Sequence, residues 1–195
     1  MVFEGEHVRI AQGAVAGASP SRQLLARIIA SQRTVRIQRT DGHNRCEPVG
    51  PSAQQAMQAA ANGVGTDAIV HINQPTMSPG AANTDATVAG PQGAPALAPT
   101  PASILLGHEL IHADRFTRGI GSFSQQPVHG GGMTWTGTLG SFTRHNGMAA
   151  ALAEEEIYVV GLPVAGATAP NPDQHAVTEN ALRAEHQQPN RIGYP

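Results

Sequence analysis

Residues 105–115 read LLGHELIHADR, and this stretch restricts the fold more than any other. His108 and His112 stand four positions apart with Glu109 directly after the first. On a helix, positions i and i+4 share a face, so both imidazoles point to one place. Leu105, Leu106, Leu110 and Ile111 put apolar side chains on several sides, which marks the helix as buried. Imidazoles beside a carboxylate are costly to bury without a metal or other polar partners. The rest of the chain must therefore bring further polar groups, a metal, or both against this helix. Two imidazoles on one face supply two of the three protein ligands that zinc takes in an open site. Glu109, at the neighbouring position, is placed to take a proton from water activated there. Two core histidines satisfied by hydrogen bonds are the plainer alternative, and they account less well for the adjoining carboxylate.

Around this helix the chain reads as α+β, with more helix than strand and no internal repeat. Its 195 residues, 40% of them hydrophobic, suit one core and one domain spanning 1–195. SPSRQLLARIIASQRT (19–34) opens on a Ser-Pro cap signal and carries apolar residues at helical spacing. TVRIQRT (34–40) alternates as a strand, and DAIVHINQ (67–74) is a second. The Pro/Gly/Ala-rich residues 75–102 read as a long surface loop or a partly mobile lid. The motif helix spans about 101–118 and closes at Gly119. Residues 121–147, rich in glycine, read mostly as loop, followed by helices over 148–161 and 175–186.

Charge and cysteine content narrow the partners. A formal charge of -2 gives no electrostatic case for nucleic acid or an anionic membrane. No apolar run approaches the roughly 20 residues that span a bilayer, and MVFEGEHVRI lacks the regions of a secretory signal. The single cysteine, Cys46, excludes an internal disulfide and suits a reducing cytosol. It has no partnering motif that would make it a nucleophile. All twelve basic residues are arginine. A GC-rich genome explains that, and so does work inside a eukaryotic host, where lacking lysine removes the usual ubiquitin acceptors.

The third ligand separates the zinc peptidase classes. In the pattern HExxHxxGxxH, positions 115 and 118 would be glycine and histidine; here they are Arg115 and Arg118, which excludes that class. These arginines, in the last turn, suit the C-terminal helix dipole. The remaining good source is ALAEEEIYVVG (151–161). Successive helical positions differ by about 100°, so one of Glu154, Glu155 and Glu156 faces the metal. The others are solvated or hold a ligand histidine through its second ring nitrogen. His129, His145 and His175 compete from loop-like contexts.

HELIHA, the acidic helix ending EEIYVVG, and the tail TENALRAEHQQPNRIGYP together resemble the zinc metalloprotease effectors of the NleD type, which bacteria inject into host cells through type III secretion. More distantly they are similar to the catalytic light chains of the clostridial neurotoxins, with HELIH, a Glu-Glu pair before a glycine turn, Thr-Glu, and Arg-x-x-Tyr. The matching segments cover roughly 101–195. The resemblance implies a single zincin-like domain with a small mixed sheet, and a Zn2+ ion held by His108, His112 and Glu156. Glu156 follows from setting the family's glycine on Gly161. It also implies Glu109 as general base. Attack on a peptide carbonyl builds negative charge on its oxygen, which Arg191 and Tyr194 would meet with a guanidinium and a phenol. Glu179 would steady Arg191 or a ligand histidine; an ordinary exposed helix glutamate is the other reading.

The resulting expectation is a monomeric zinc endopeptidase (HExxH plus Glu), secreted through type III secretion, that cuts a host signalling protein in the host cytosol. By resemblance, a mitogen-activated protein kinase is the first substrate class to try. The alternatives are a non-proteolytic zinc module that docks a host protein, and an intracellular metallopeptidase of the bacterium. Specificity would reside in 75–100 and 120–147, which carry no readable code.

Overall fold

A computed structural model describes residues 19–73, 75, 85–90, 95–123, 125–126, 128–130, 133–135, 152–162 and 177–193. Proline suits the first turn of a helix, where no N–H is needed, and α1 runs Pro20–Ala30 with Leu24 and Ala26 buried. Strand β1 (Val35–Arg39) follows, then β2 (Arg45–Val49), α2 (Ala53–Ala61) and β3 (Asp67–Ile72). The Ser52 side chain accepts the Gln55 N–H and caps α2. β3 is central, parallel to β1 and antiparallel to β2, which is the small mixed sheet expected. Pro48 sits in β2 at the edge of that order, where a missing donor is tolerated.

The expected surface loop over 75–100 is corrected where its residues are described. Asp85–Ala89 (β4) and Pro95–Pro99 (β5) pair antiparallel. Ala86 and Val88 alternate inward and are buried. Small side chains satisfy such a ladder as well as large ones do, so a low apolar content did not prevent a strand.

Helix α3 (Ala102–Arg118) carries the motif and ends at Gly119, whose φ of 71° is left-handed. It packs against β2 and β3 and against α1 and α2. Ile104, Ile111, Ala113 and Phe116 lie in the core with Leu24, Val70 and Val159. The turn before β3 closes on its end: Gly65 has φ +73°, and a Cβ there would lie 2.0 Å from the Thr117 carbonyl oxygen. Gly65→Ala should therefore cost more than the roughly 1–2 kcal/mol of the left-handed backbone alone, read as a lower melting temperature.

Beyond α3, β6 (Gln125–Gln126), β7 (Val128–Gly130), β8 (Met133–Trp135) and β9 (Leu152–Ala153) form two short antiparallel ladders, β6 with β9 and β7 with β8. The helix expected over 148–161 starts only at Glu154, because Leu152 and Ala153 are committed to β6; 148–151 lie outside the described residues. Helix α4 is Glu154–Val160, stopped by Gly161 at φ +84°. The helix expected over 175–186 is α5, Glu179–Glu185, capped by Thr178, whose hydroxyl accepts the Ala181 N–H. Strand β10 (Arg191–Gly193) pairs with β4. Both α4 and α5 lie against α3. Among the described residues no helix is long and apolar enough to cross a membrane.

Candidate metal centre

On α3, His108 and His112 do share a face: their ring centroids are 4.9 Å apart at an interplanar angle of 76°. Their Nε2 atoms lie 3.3 Å from each other. Glu156, in the first turn of α4, reaches both. Its Oε2 is 3.2 Å from His108 Nε2, and its Oε1 is 3.1 Å from His112 Nε2. One ligand atom from each of the three lies within 4.8 Å of the other two. Carboxylates in the opening turn of a helix are favoured by its dipole, so the acidic run that delivers Glu156 also suits α4 as a start.

The outer ring nitrogens face two further carboxylates. His108 Nδ1 is 2.8 Å from Glu179 Oε2. His112 Nδ1 is 3.5 Å from Glu155 Oε1, an ion-pair distance too long for a good hydrogen bond. At His108 the hydrogen-bonded carboxylate on Nδ1 favours the tautomer whose Nε2 lone pair faces inward. The two Nε2 atoms, 3.3 Å apart, need a proton or a cation between them and Glu156. The donor set of two imidazole nitrogens and one carboxylate oxygen is one that zinc accepts, so the residues fit the ion.

Charge in the site follows from these contacts. Burial alone would lower the pKa of His108, but hydrogen bonds to Glu156 and Glu179 hold it up at about 9. His112 is likewise raised, its burial outweighed by the charge of Glu156. Burial would raise Glu156, yet the two imidazoles keep it well below the ordinary carboxylate range. Glu179 is low for the same kind of reason, through His108, Arg191 and Arg183. Glu109 goes the other way: it is buried, and desolvation raises its proton affinity. Cys46 is pushed up by burial and then by the charge of Glu109, which keeps the thiol protonated.

Three arginines enclose the outer carboxylates. Arg183 Nε donates to Glu179 Oε1 at 2.6 Å, and Arg191 Nη1 donates to Oε2 at 3.1 Å. Glu179 is thus buried, not an exposed helix residue, and it touches both Arg191 and a motif histidine. Arg191 belongs to a paired strand, with its backbone N–H donated to Asn180 Oδ1 and its carbonyl accepting from Asn180 Nδ2. Arg115 is a correction to the sequence reading: it turns inward from the last turns of α3 to Glu155, 2.8 Å away, and to the Ile120 carbonyl. Arg118 donates to Asp114 one turn back. Sequence reasoning missed Arg115 and Arg183. The four-residue spacing of Glu179 and Arg183 was a readable signal; Arg115 had none beyond its apolar neighbours Ile111 and Phe116. Tyr194 and His145 and His175 lie outside the described residues, as do the side chains of Glu154 and His129.

A family model described as an effector protein, peptidase family M91, matches residues 9–194. No curated protein and no solved structure matches the chain.

Proposed function

The chain belongs to the M91 peptidase family of effector proteins, and on that footing we propose that it is a zinc-dependent endopeptidase of the injected-effector type, cutting a host signalling protein in the host cytosol. The observation that carries the reading is the convergence of both motif Nε2 atoms on the Glu156 carboxylate, with Glu109 buried at the next position of the same helix. His108, His112 and Glu156 would hold the ion. When bound, zinc supplies a Lewis acid that polarises the scissile carbonyl and makes water acidic near neutral pH.

The protein's own groups do the rest. Glu109 takes a proton from the attacking water onto its carboxylate as the new C–O bond forms. It then delivers that proton to the amide nitrogen as the C–N bond breaks. A proton affinity raised by burial suits both halves of this transfer. Arg191 meets the negative charge that develops on the carbonyl oxygen, aimed by its bond to Glu179; Tyr194 adds a hydroxyl donor. The Glu156 side chain is 19% exposed and that of His108 13%, so the centre is reached by solvent.

The test is to incubate the protein with a host-cell lysate, with and without chelator, and map new peptide termini. Termini that appear only without chelator are expected, and mitogen-activated protein kinases are the first candidates to inspect. Identical termini in both arms would refute a metal-dependent cut. The ligand assignment has its own check. Glu156→Ala removes one of three protein ligands and should weaken zinc binding far more than Glu154→Ala, which should behave as the parent.

A further inference from the structure

We infer that Arg115 is a positioning residue of the proposed zinc site, acting on His112 through Glu155; this rests on the reading of His108, His112 and Glu156 as ligands. Arg115 lies three residues after His112 on α3 and is 2% exposed. Its Nε donates to Glu155 Oε1 at 2.8 Å, and that same oxygen is the one facing His112 Nδ1. The other carboxylate oxygen accepts the Ser122 backbone N–H at 2.7 Å, and the Glu155 N–H returns a bond to the Ser122 carbonyl at 2.9 Å. Arg115 Nη2 donates to the Ile120 carbonyl, and its guanidinium carbon lies 5.1 Å from the centre of the Tyr158 ring. Both oxygens of Glu155 are therefore fixed, and the carboxylate is kept 3.5 Å from His112 Nδ1, in ion-pair range of the outer edge of the ring.

A buried ion pair alone is weak evidence for a role, because well-packed apolar residues often replace it at no loss. The second ring supplies the further observation. His108, Glu179 and Arg183 repeat the order of imidazole, carboxylate and buried guanidinium, with the carboxylate and guanidinium on α5. The same order of groups stands behind both rings, hydrogen-bonded at His108 and in ion-pair range at His112, and it is built from different helices, which points to ring orientation as its common effect. Of the two arms, the Arg115 arm is the cleaner to test, because Glu179 also bears Arg191.

Zinc affinity, measured by competition with a chromophoric chelator, and the visible absorption of the Co2+-loaded protein separate positioning from mere stability. Arg115→Met and Glu155→Gln should each weaken zinc binding by about 10–100-fold, the usual loss when a partner behind a ligand histidine is removed. The double variant should lose little more than either, since both cut one chain of contacts. Arg115→Lys, which keeps the charge without the planar fork, should recover part of the affinity. Arg118→Met, which breaks the Asp114 pair on the same helix, should lower the melting temperature and leave zinc affinity and the cobalt spectrum unchanged. If Arg115→Met does not fold, Glu155→Gln, which keeps the side-chain shape, decides the matter. Parental zinc affinity and cobalt spectrum in Glu155→Gln and in any folded Arg115→Met would overturn the inference while leaving the metal reading intact. A parent protein that takes up no zinc overturns both.

Discussion

Changing both His108 and His112 to alanine should reduce bound zinc from about one ion per chain to background, because two of the three proposed protein ligands vanish. Elemental analysis of protein purified without chelator reads this directly. The variant should still fold. Glu179 keeps Arg183 and Arg191, and Glu155 keeps Arg115 and the Ser122 N–H. Glu156 loses both imidazoles, but it is the most solvent-open of the three carboxylates. Metal that binds only the folded state stabilises it, by about 4 kcal/mol at a thousandfold excess over its dissociation constant. Adding zinc should thus raise the melting temperature of the parent and leave the double variant unmoved. A parent protein without zinc, and without a thermal response to it, would end the metalloprotease reading.

Glu109→Gln should abolish peptide cleavage while zinc stays bound. Glutamine matches the size of the buried side chain and leaves His108, His112 and Glu156 untouched, but it cannot take a proton from water. Loss of a positioned general base costs roughly 10²–10⁴-fold, which brings cleavage near background. Tyr194→Phe should be milder, since Arg191 remains; one donor to a developing oxyanion is worth on the order of 10²–10³-fold. A docking module makes the opposite forecast, with Glu109→Gln keeping its full effect in cells. Scoring cleaved substrate and cellular effect in one variant separates the two.

How much of this was legible depended on whether the signal was local. The span of α3 and its stop at Gly119 follow from helical spacing and one left-handed residue, and α1, β1 and β3 carry their own periodicity. Strand β2 does not, because its inward positions are only Cys46 and Pro48 while Val49 faces out, and pairing with β3 makes it a strand. The Ala/Gln run of α2 has too few large apolar residues to announce itself, and β4 and β5 are stranded mainly through each other and β10. The approach of His108 to His112 was implicit in their spacing, whereas that of Glu156 came through the family register on Gly161. Arg115 was misread because an arginine near a helix end ordinarily faces water; its partner is 40 residues away in the chain.

The pairing of Gln125–Gln126 with Leu152–Ala153, with the mutual bonds of Ser122 and Glu155, also matters for how such a protein can change. It joins the two ends of the chain between 127 and 151 immediately ahead of Glu156. Once the ends of a segment are tied, its length is thermodynamically inexpensive, and each doubling adds only about 0.6 kcal/mol of closure entropy. A change of length between 136 and 151 therefore costs little closure entropy, and the β6–β9 pairing still sets the chain ahead of α4.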